Sequence, residues 1–269
     1  MTIPEAIGAV VLFTTLSIML LCTIKGVHSV SIYQYMLLLL ITVAAILLLA
    51  YCFDPRATIR FDLGEHFKLL DKMKTEGWSY AVKNSEYGRL YVTLAYFWLI
   101  AETGLNHLLP ILPMLTEFAV VIYIIYDLFY VKHDYMIDIT QATFTLFVWF
   151  CTYGFLLALS GVRCSWAVAI AVAALYRDCV QKKRDLLMLL LYIMPMFIHY
   201  FAMIALILRL MIIMKHKKIM TLFMIGAVVY GPQLAIIIYR SVSFSYVRTM
   251  MAIIVRYWSG FSVWTFIAY

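Results

Sequence analysis

Apolar residues fill long blocks of this chain, and short polar or charged clusters separate the blocks. Many blocks approach the ~20 residues that an α-helix needs to cross a hydrocarbon core of about 30 Å. The pattern predicts eight membrane segments, near residues 5–24, 33–53, 108–131, 139–159, 163–180, 186–199, 200–214 and 219–239. The sequence shows no internal repeat, so one membrane domain over residues 1–269 is expected.

Two regions do not fit a simple alternation of full spans. The apolar run 186–214 is too long for one span and short for two, which predicts a tight hairpin with Pro195 and His199 near its turn. Polar residues and prolines interrupt the run 91–131, and the part before Asn106 is predicted to enter from outside without crossing. The expected fold is an all-α polytopic membrane protein of about eight helices, some of them short, broken or re-entrant.

Composition indicates that a bilayer, rather than water, is the solvent of this chain. Hydrophobic residues make up 65% and charged residues 13% of the 269 positions, which is too little polar surface for a soluble globule of this size. The five cysteines are scattered without a Cys-x-x-Cys pair and are interpreted as small buried hydrophobes. The sequence holds no Gly-rich phosphate loop and no His or Cys metal motif, so neither a metal nor a cofactor is predicted.

The net charge of +7 reflects orientation in the membrane rather than nucleic-acid binding, because the basic residues lie at the ends of apolar blocks. Four basic clusters separate the blocks, at residues 25, 132–133, 177–184 and 215–218. The positive-inside rule places all four in the cytoplasm and the N-terminus outside. Three polar regions then face outward: the loop 54–89, the turn around Arg163 and the tail after Arg240.

The outward loop 54–89 concentrates charged residues of both signs. Apolar residues recur in it at helical spacing, which predicts an amphipathic helix from Asp62 to Lys74 with Asp62 as its cap. Trp78 and Tyr80 follow as interface anchors. Composition alone favours a solvated surface helix, whereas Arg, Asp and His together beside the membrane suit an anionic ligand such as a lipid diphosphate.

Three segments carry a resemblance to EpsG-like and Wzy-type bacterial polysaccharide polymerases. Asp62-Leu63-x-x-His66-Phe67 resembles the family's Asp-Leu-x-Arg-His/Tyr-aromatic segment. Gly161-Val162-Arg163-Cys164-x-x-Ala167 is similar to its Ile-Arg-Gln-x-x-Ala, and Ile198-His199-Tyr200-Phe201-Ala202 to its Phe-His-x-Ser-Ala. The order and spacing of the three pieces match the family better than any one motif does. The chain departs from the family's pattern at three positions: Glu65, Cys164 and Phe201.

The resemblance implies a GT-C-like glycosyltransferase that joins undecaprenyl-diphosphate-linked oligosaccharide repeat units on the outer face of the bacterial cytoplasmic membrane. It implies that Arg163, with Arg60 or Arg56, holds the diphosphate without a metal. The candidates for the base or for acceptor positioning are Asp62, His66 and His199. The further substrate-binding candidates are Glu102 and Arg89. The implied partners are lipid-linked oligosaccharides, membrane lipids and other polysaccharide assembly proteins.

Other interpretations of the same residues remain open. In a transporter or flippase of lipid-linked glycans, Glu102, Asp127 and His199 would line a permeation path. A non-catalytic subunit of a polysaccharide assembly system is a third class. At the residue level, Arg163 is equally an interfacial residue whose charge reaches the headgroups, and His199 is equally a buried histidine bonded to a carbonyl.

Overall fold

The computed structural model describes residues 3–25, 32–54, 62–84, 90–129, 139–152, 161–213, 222, 226 and 236–241. Every described element of secondary structure is helical, which confirms the all-α prediction. The α-helices are α1 (Ile3–Lys25), α2 (Ile32–Cys52), α3 (Asp62–Glu76), α4 (Trp78–Asn84), α5 (Tyr91–Thr103), α6 (Ile111–Phe129), α7 (Ile139–Thr152), α8 (Val162–Leu175), α9 (Leu186–Ile193) and α10 (Met203–Ile213).

Three of these helical stretches are long and apolar enough to cross a membrane: Ile3–Ile24, Tyr33–Cys52 and Asn106–Phe129. They coincide with three of the predicted spans and support the prediction of a helical membrane protein. Shorter apolar helices cover Gln141–Cys151 and Leu186–Phe197. Most of the predicted span 219–239 lies outside the described residues.

The predicted break between α5 and α6 is confirmed, and Gly104 explains it. This residue caps α5 in the left-handed conformation, with φ of 70°, and its amide donates to the carbonyl of Ala101. A glycine adopts such a φ without steric cost. A short 3-10 turn, Asn106–Leu108, then leads into α6. The helix α5 therefore has only 13 residues, about 20 Å, and is too short to cross the bilayer.

The chain divides into two compact units, residues 1–202 and 203–269. In the first unit the main apolar core joins α1, α2, α3, α5, α6 and α7. Its most completely buried side chains include Met19, Phe67, Phe97, Phe118 and Leu146. A smaller apolar cluster joins α8 to the segment after α9. This second cluster contains the residues that position the candidate site.

The predicted amphipathic helix is confirmed as α3. Its inner face is buried at Leu63, His66, Phe67, Leu70 and Met73, while the charged residues between them are exposed. The helix α3 packs on α5, and its buried side chains belong to the main apolar core. Its apolar face therefore contacts protein rather than only the membrane interface.

The apolar run 186–214 is interrupted after the short helix α9, near Pro195. A 3-10 segment, Met194–Phe197, follows α9 and contains the buried Pro195. The amide of His199 donates to the carbonyl of Pro195 over 2.8 Å. A second 3-10 turn, Tyr200–Ala202, ends the first unit.

Candidate functional site

Three segments that are far apart in sequence bring Arg163, His66 and His199 together. Arg163 lies in the first turn of α8, His66 on the buried face of α3, and His199 after the 3-10 turn that contains Pro195. The guanidinium of Arg163 lies within electrostatic reach of both imidazoles. One guanidinium and two imidazoles therefore share a site at the N-terminal end of α8.

The short helix α5 connects the three segments through one of its faces. Thr93 donates its hydroxyl proton to the carbonyl of Ile198 over 2.8 Å, next to His199. The ring of Phe97 meets the ring of His66 edge-on, with 5.2 Å between centroids. Tyr96 packs on Trp166 of α8 at 5.1 Å. Residues spaced by three and four lie on one side of a helix, so a single face of α5 contacts all three segments.

The apolar surroundings of the site hold the turn with His199 against α8. Trp166, Ala167 and Ile170 of α8 form a buried cluster with Ile198 and Ala202. Ala167 and Ile198 are completely buried. The small side chains of Ala167 and Ala202 let the turn approach α8 closely, which brings His199 near the first turn of that helix.

The imidazole of His66 is only 4% exposed. Burial and, secondarily, the charge of Arg163 lower the pKa of His66 to about 3, because both disfavour the protonated ring. His66 is therefore neutral near pH 7. A neutral imidazole offers one nitrogen as a hydrogen-bond acceptor and one as a donor. A pKa this far below the working pH makes His66 a weak general base, so the ring is suited to positioning a hydroxyl by hydrogen bonds.

The helix α3 is fixed over the site by contacts along its length. The amide of Asn106 donates to Asp71 over 2.8 Å, and the ring of Phe67 meets that of His107 edge-on at 5.4 Å. The Lys74 ammonium lies beside the left-handed cap at Gly104. These contacts fix the position of His66, which lies on the same helix.

The other predicted site residues have different placements. Asp62 is exposed at the start of α3, one turn before His66. Glu102, a substrate-binding candidate, does not lie on the side of α5 that contacts the segment of His199. Glu102 is exposed and follows Thr93 by nine residues, which is half a rotation around α5. The substrate-binding candidates Arg56, Arg60 and Arg89 lie outside the described residues.

Sequence reasoning missed the contribution of α5 to the site. Thr93, Tyr96 and Phe97 show helical spacing in the sequence, but nothing in that spacing indicates which distant segments they contact.

Among the described residues, no group of three or more His, Cys, Asp or Glu is arranged to hold a metal ion. What the residues define is an apolar helical protein in which the half-buried Arg163 and His199 share a site with the buried His66. Comparison with protein-family models, with curated proteins and with solved structures finds no match for this chain.

Proposed function

We propose that this protein is a polysaccharide polymerase, a glycosyltransferase that joins undecaprenyl-diphosphate-linked oligosaccharide repeat units on the outer face of the bacterial cytoplasmic membrane. The observation that carries the proposal is that contacts of α5 and the buried cluster on α8 hold the segments of Arg163, His66 and His199 together. These residues come from the three segments that resemble the polymerase family. The proposed topology has eight spans, an outward N-terminus and the basic clusters in the cytoplasm.

The proposed glycosyl transfer requires a cation to stabilise the leaving diphosphate and a base to accept the proton of the acceptor hydroxyl. The oxygen of the acceptor hydroxyl attacks the anomeric carbon of the lipid-linked chain, and the bond from that carbon to the diphosphate oxygen breaks. The lipid diphosphate leaves with the electron pair, and an imidazole accepts the hydroxyl proton. Arg163 stabilises the negative charge that develops on the diphosphate, for which a planar guanidinium is suited. His199 accepts the proton, and His66 and Asp62 position the acceptor.

The depth of the site in the bilayer fits a lipid-linked substrate. The helix α8 extends about 18 Å from Arg163 to its last residue, Leu175, at ~1.5 Å per residue. With the basic end of α8 in the cytoplasm, Arg163 and His199 lie in the outer part of a hydrocarbon core about 30 Å thick. A diphosphate at the headgroup level and its polyprenyl chain in the core would both reach such a site.

The placement of Glu102 favours a polymerase over a transporter. A permeation path through Glu102 and His199 needs both side chains on one cavity. Glu102 is exposed on the side of α5 opposite Thr93, and Thr93 is the residue that contacts the segment of His199. The alternative of a non-catalytic subunit differs from the proposal in activity rather than in geometry.

The experiment is an elongation assay with purified protein in proteoliposomes and a lipid-linked repeat unit as the only glycan. The proposal expects a ladder of longer lipid-linked chains on gels, with and without a chelator. Translocation of the repeat unit without elongation would support a flippase instead. If the folded protein shows no elongation and no translocation, the result would support a non-catalytic subunit and contradict the proposal.

A further inference from the structure

A second polar cluster lies at the end of α8 remote from Arg163. The helix continues there as a π-helical segment, Tyr176–Val180, and a short loop then leads to α9. Asp185 caps α9 by accepting from the amide of Met188 over 2.9 Å. Residues 177–185 form the tip that joins α8 to α9. Arg163 lies at the opposite end of α8, and His199 follows the 3-10 segment beyond α9.

Two ion pairs cross the tip and interleave in sequence. Arg177 donates through Nε and Nη2 to both carboxylate oxygens of Asp185. Arg184 donates through Nε to Asp178 over 3.3 Å, and the hydroxyl of Tyr192 donates to the same carboxylate. The hydrogen bond from Arg177 lowers the pKa of Asp185 to about 2, so this carboxylate is ionised at physiological pH. Both acidic residues of the tip are therefore engaged by its arginines.

The tip presents its remaining charge outward. Between residues 177 and 185, four cations stand against two carboxylates, so two positive charges are not balanced within the tip. Lys182 and Lys183 are exposed, and the Arg184 side chain remains 70% exposed although its Nε is bonded to Asp178. The backbone of Lys182 has a φ of 56°, in the left-handed region that reverses the chain direction.

An exposed apolar surface begins directly after these cations. On α9, Leu186 is 70% exposed, and Leu187 and Leu190 are about half exposed. Cationic side chains beside an apolar helix face match the two parts of a phospholipid, the headgroup and the acyl chains. A nucleic acid or an acidic peptide would match only the cations.

We propose that this tip binds the headgroup of an anionic phospholipid through Lys182, Lys183 and the exposed part of Arg184. The acyl chains of the same lipid lie along the exposed leucines of α9. The ion pairs hold the loop in one conformation, so the cations are arranged before the lipid arrives. The proposal concerns a lipid site and does not depend on the polymerase function.

The test is native mass spectrometry of the full chain with phosphatidylglycerol or phosphatidylcholine added to the detergent micelles. We expect the wild type to bind phosphatidylglycerol several-fold more tightly than phosphatidylcholine. The variant Lys182→Ala/Lys183→Ala should bind phosphatidylglycerol roughly 10- to 30-fold more weakly, since each lysine near an anionic surface contributes about 1 kcal/mol, or about 5-fold. Its binding of phosphatidylcholine should be unchanged.

Two control variants separate a specific site from general attraction. Lys182→Arg/Lys183→Arg keeps the charge and should retain the preference for phosphatidylglycerol. Lys72→Ala/Lys83→Ala removes two exposed lysines from α3 and α4 and should also retain it. Equal binding of the two lipids by the wild type, an undiminished preference in the first variant, or an equal loss in Lys72→Ala/Lys83→Ala would each overturn the proposal.

Discussion

Arg163 is the residue on which the proposed chemistry depends most, because its charge acts on both imidazoles of the site. A guanidinium binds a diphosphate through two parallel hydrogen bonds, and the ammonium of lysine cannot reproduce that geometry. The proposal gives His199 a different role, since an imidazole transfers a proton rather than balancing charge. The two kinds of residue should therefore respond differently to substitution.

The first prediction concerns Arg163→Lys and His199→Ala in the elongation assay. Arg163→Lys should lose most of the activity while the protein still inserts and folds. His199→Ala should reduce turnover by about 10²-fold or more if His199 transfers the proton. Arg240→Lys, at an exposed position in the second unit, is the matched control and should keep full activity. Wild-type elongation rates in folded Arg163→Lys and His199→Ala proteins would contradict the assignment.

The second prediction follows from the lowered pKa of His66. Below about pH 6.5 the unfolded state binds a proton at this residue, but the folded state does not until about pH 3. The free energy of unfolding should therefore fall as the pH drops from 6.5 toward 3, by about 2 kcal/mol at pH 5. Unfolding by denaturant in detergent at a series of pH values measures this change.

The variant His66→Gln supplies the comparison for the pH series, because glutamine does not titrate. Its stability should change less with pH than that of the wild type over the same interval, whatever its absolute stability. Parallel pH profiles for the two proteins would show that His66 does not titrate differently in the folded and unfolded states.

At the scale of single elements, the short helix α5 shows what the sequence predicts and what it leaves open. Its C-terminal break was predictable, because Glu102, Asn106 and two prolines interrupt an apolar run. Likewise, the apolar spacing in α3 predicted that helix within two residues of its observed end at Glu76. The side of α5 that faces the site was not predictable. Apolar and aromatic residues occur all around this helix, so its sequence does not single out the face of Thr93 and Phe97.

The third prediction tests the junction between α3 and α5. The backbone of Gly104 is in the left-handed conformation, which is unfavourable for a residue with a Cβ atom. A Cβ atom there would also lie 2.7 Å from Nζ of Lys74. Gly104→Ala should cost about 1–2 kcal/mol from the backbone conformation alone, plus the displacement of Lys74. Gly77→Ala is the matched control, since Gly77 also has a positive φ but has nothing within 4 Å of its would-be Cβ.

Denaturant unfolding of the two alanine variants should show a larger loss of stability for Gly104→Ala than for Gly77→Ala. Adding Lys74→Ala to Gly104→Ala should recover the part of the loss that comes from the clash. Equal losses in the two glycine variants would mean that Lys74 moves aside at no cost, and that its contact with the cap does not help to fix α3.

At the scale of the whole molecule, the apolar pattern identified the membrane class and three helices of spanning length, Ile3–Ile24, Tyr33–Cys52 and Asn106–Phe129. A block of about 20 apolar residues has few alternatives to a membrane helix. The site was predictable only in part, because Arg163 and His199 stand out as polar residues in apolar surroundings. Their common location depends on tertiary contacts such as that of Thr93 with Ile198, between residues 105 positions apart.

The last prediction concerns the orientation of the molecule, on which the outer location of the site depends. Single cysteines are introduced at Ser79, Gln181 and Ser241 in a variant whose five native cysteines are replaced by alanine. Positive-inside orientation places residue 181 in the cytoplasm with the basic tip, and residues 79 and 241 outside. An impermeant thiol reagent added to intact cells should label the cysteines at 79 and 241 and leave the one at 181 unlabelled. Permeabilised cells are the control, because all three should then react. Labelling at 181 in intact cells would place the basic tip outside and the Arg163 end of α8 toward the cytoplasm, where an outward-facing polymerase site cannot lie.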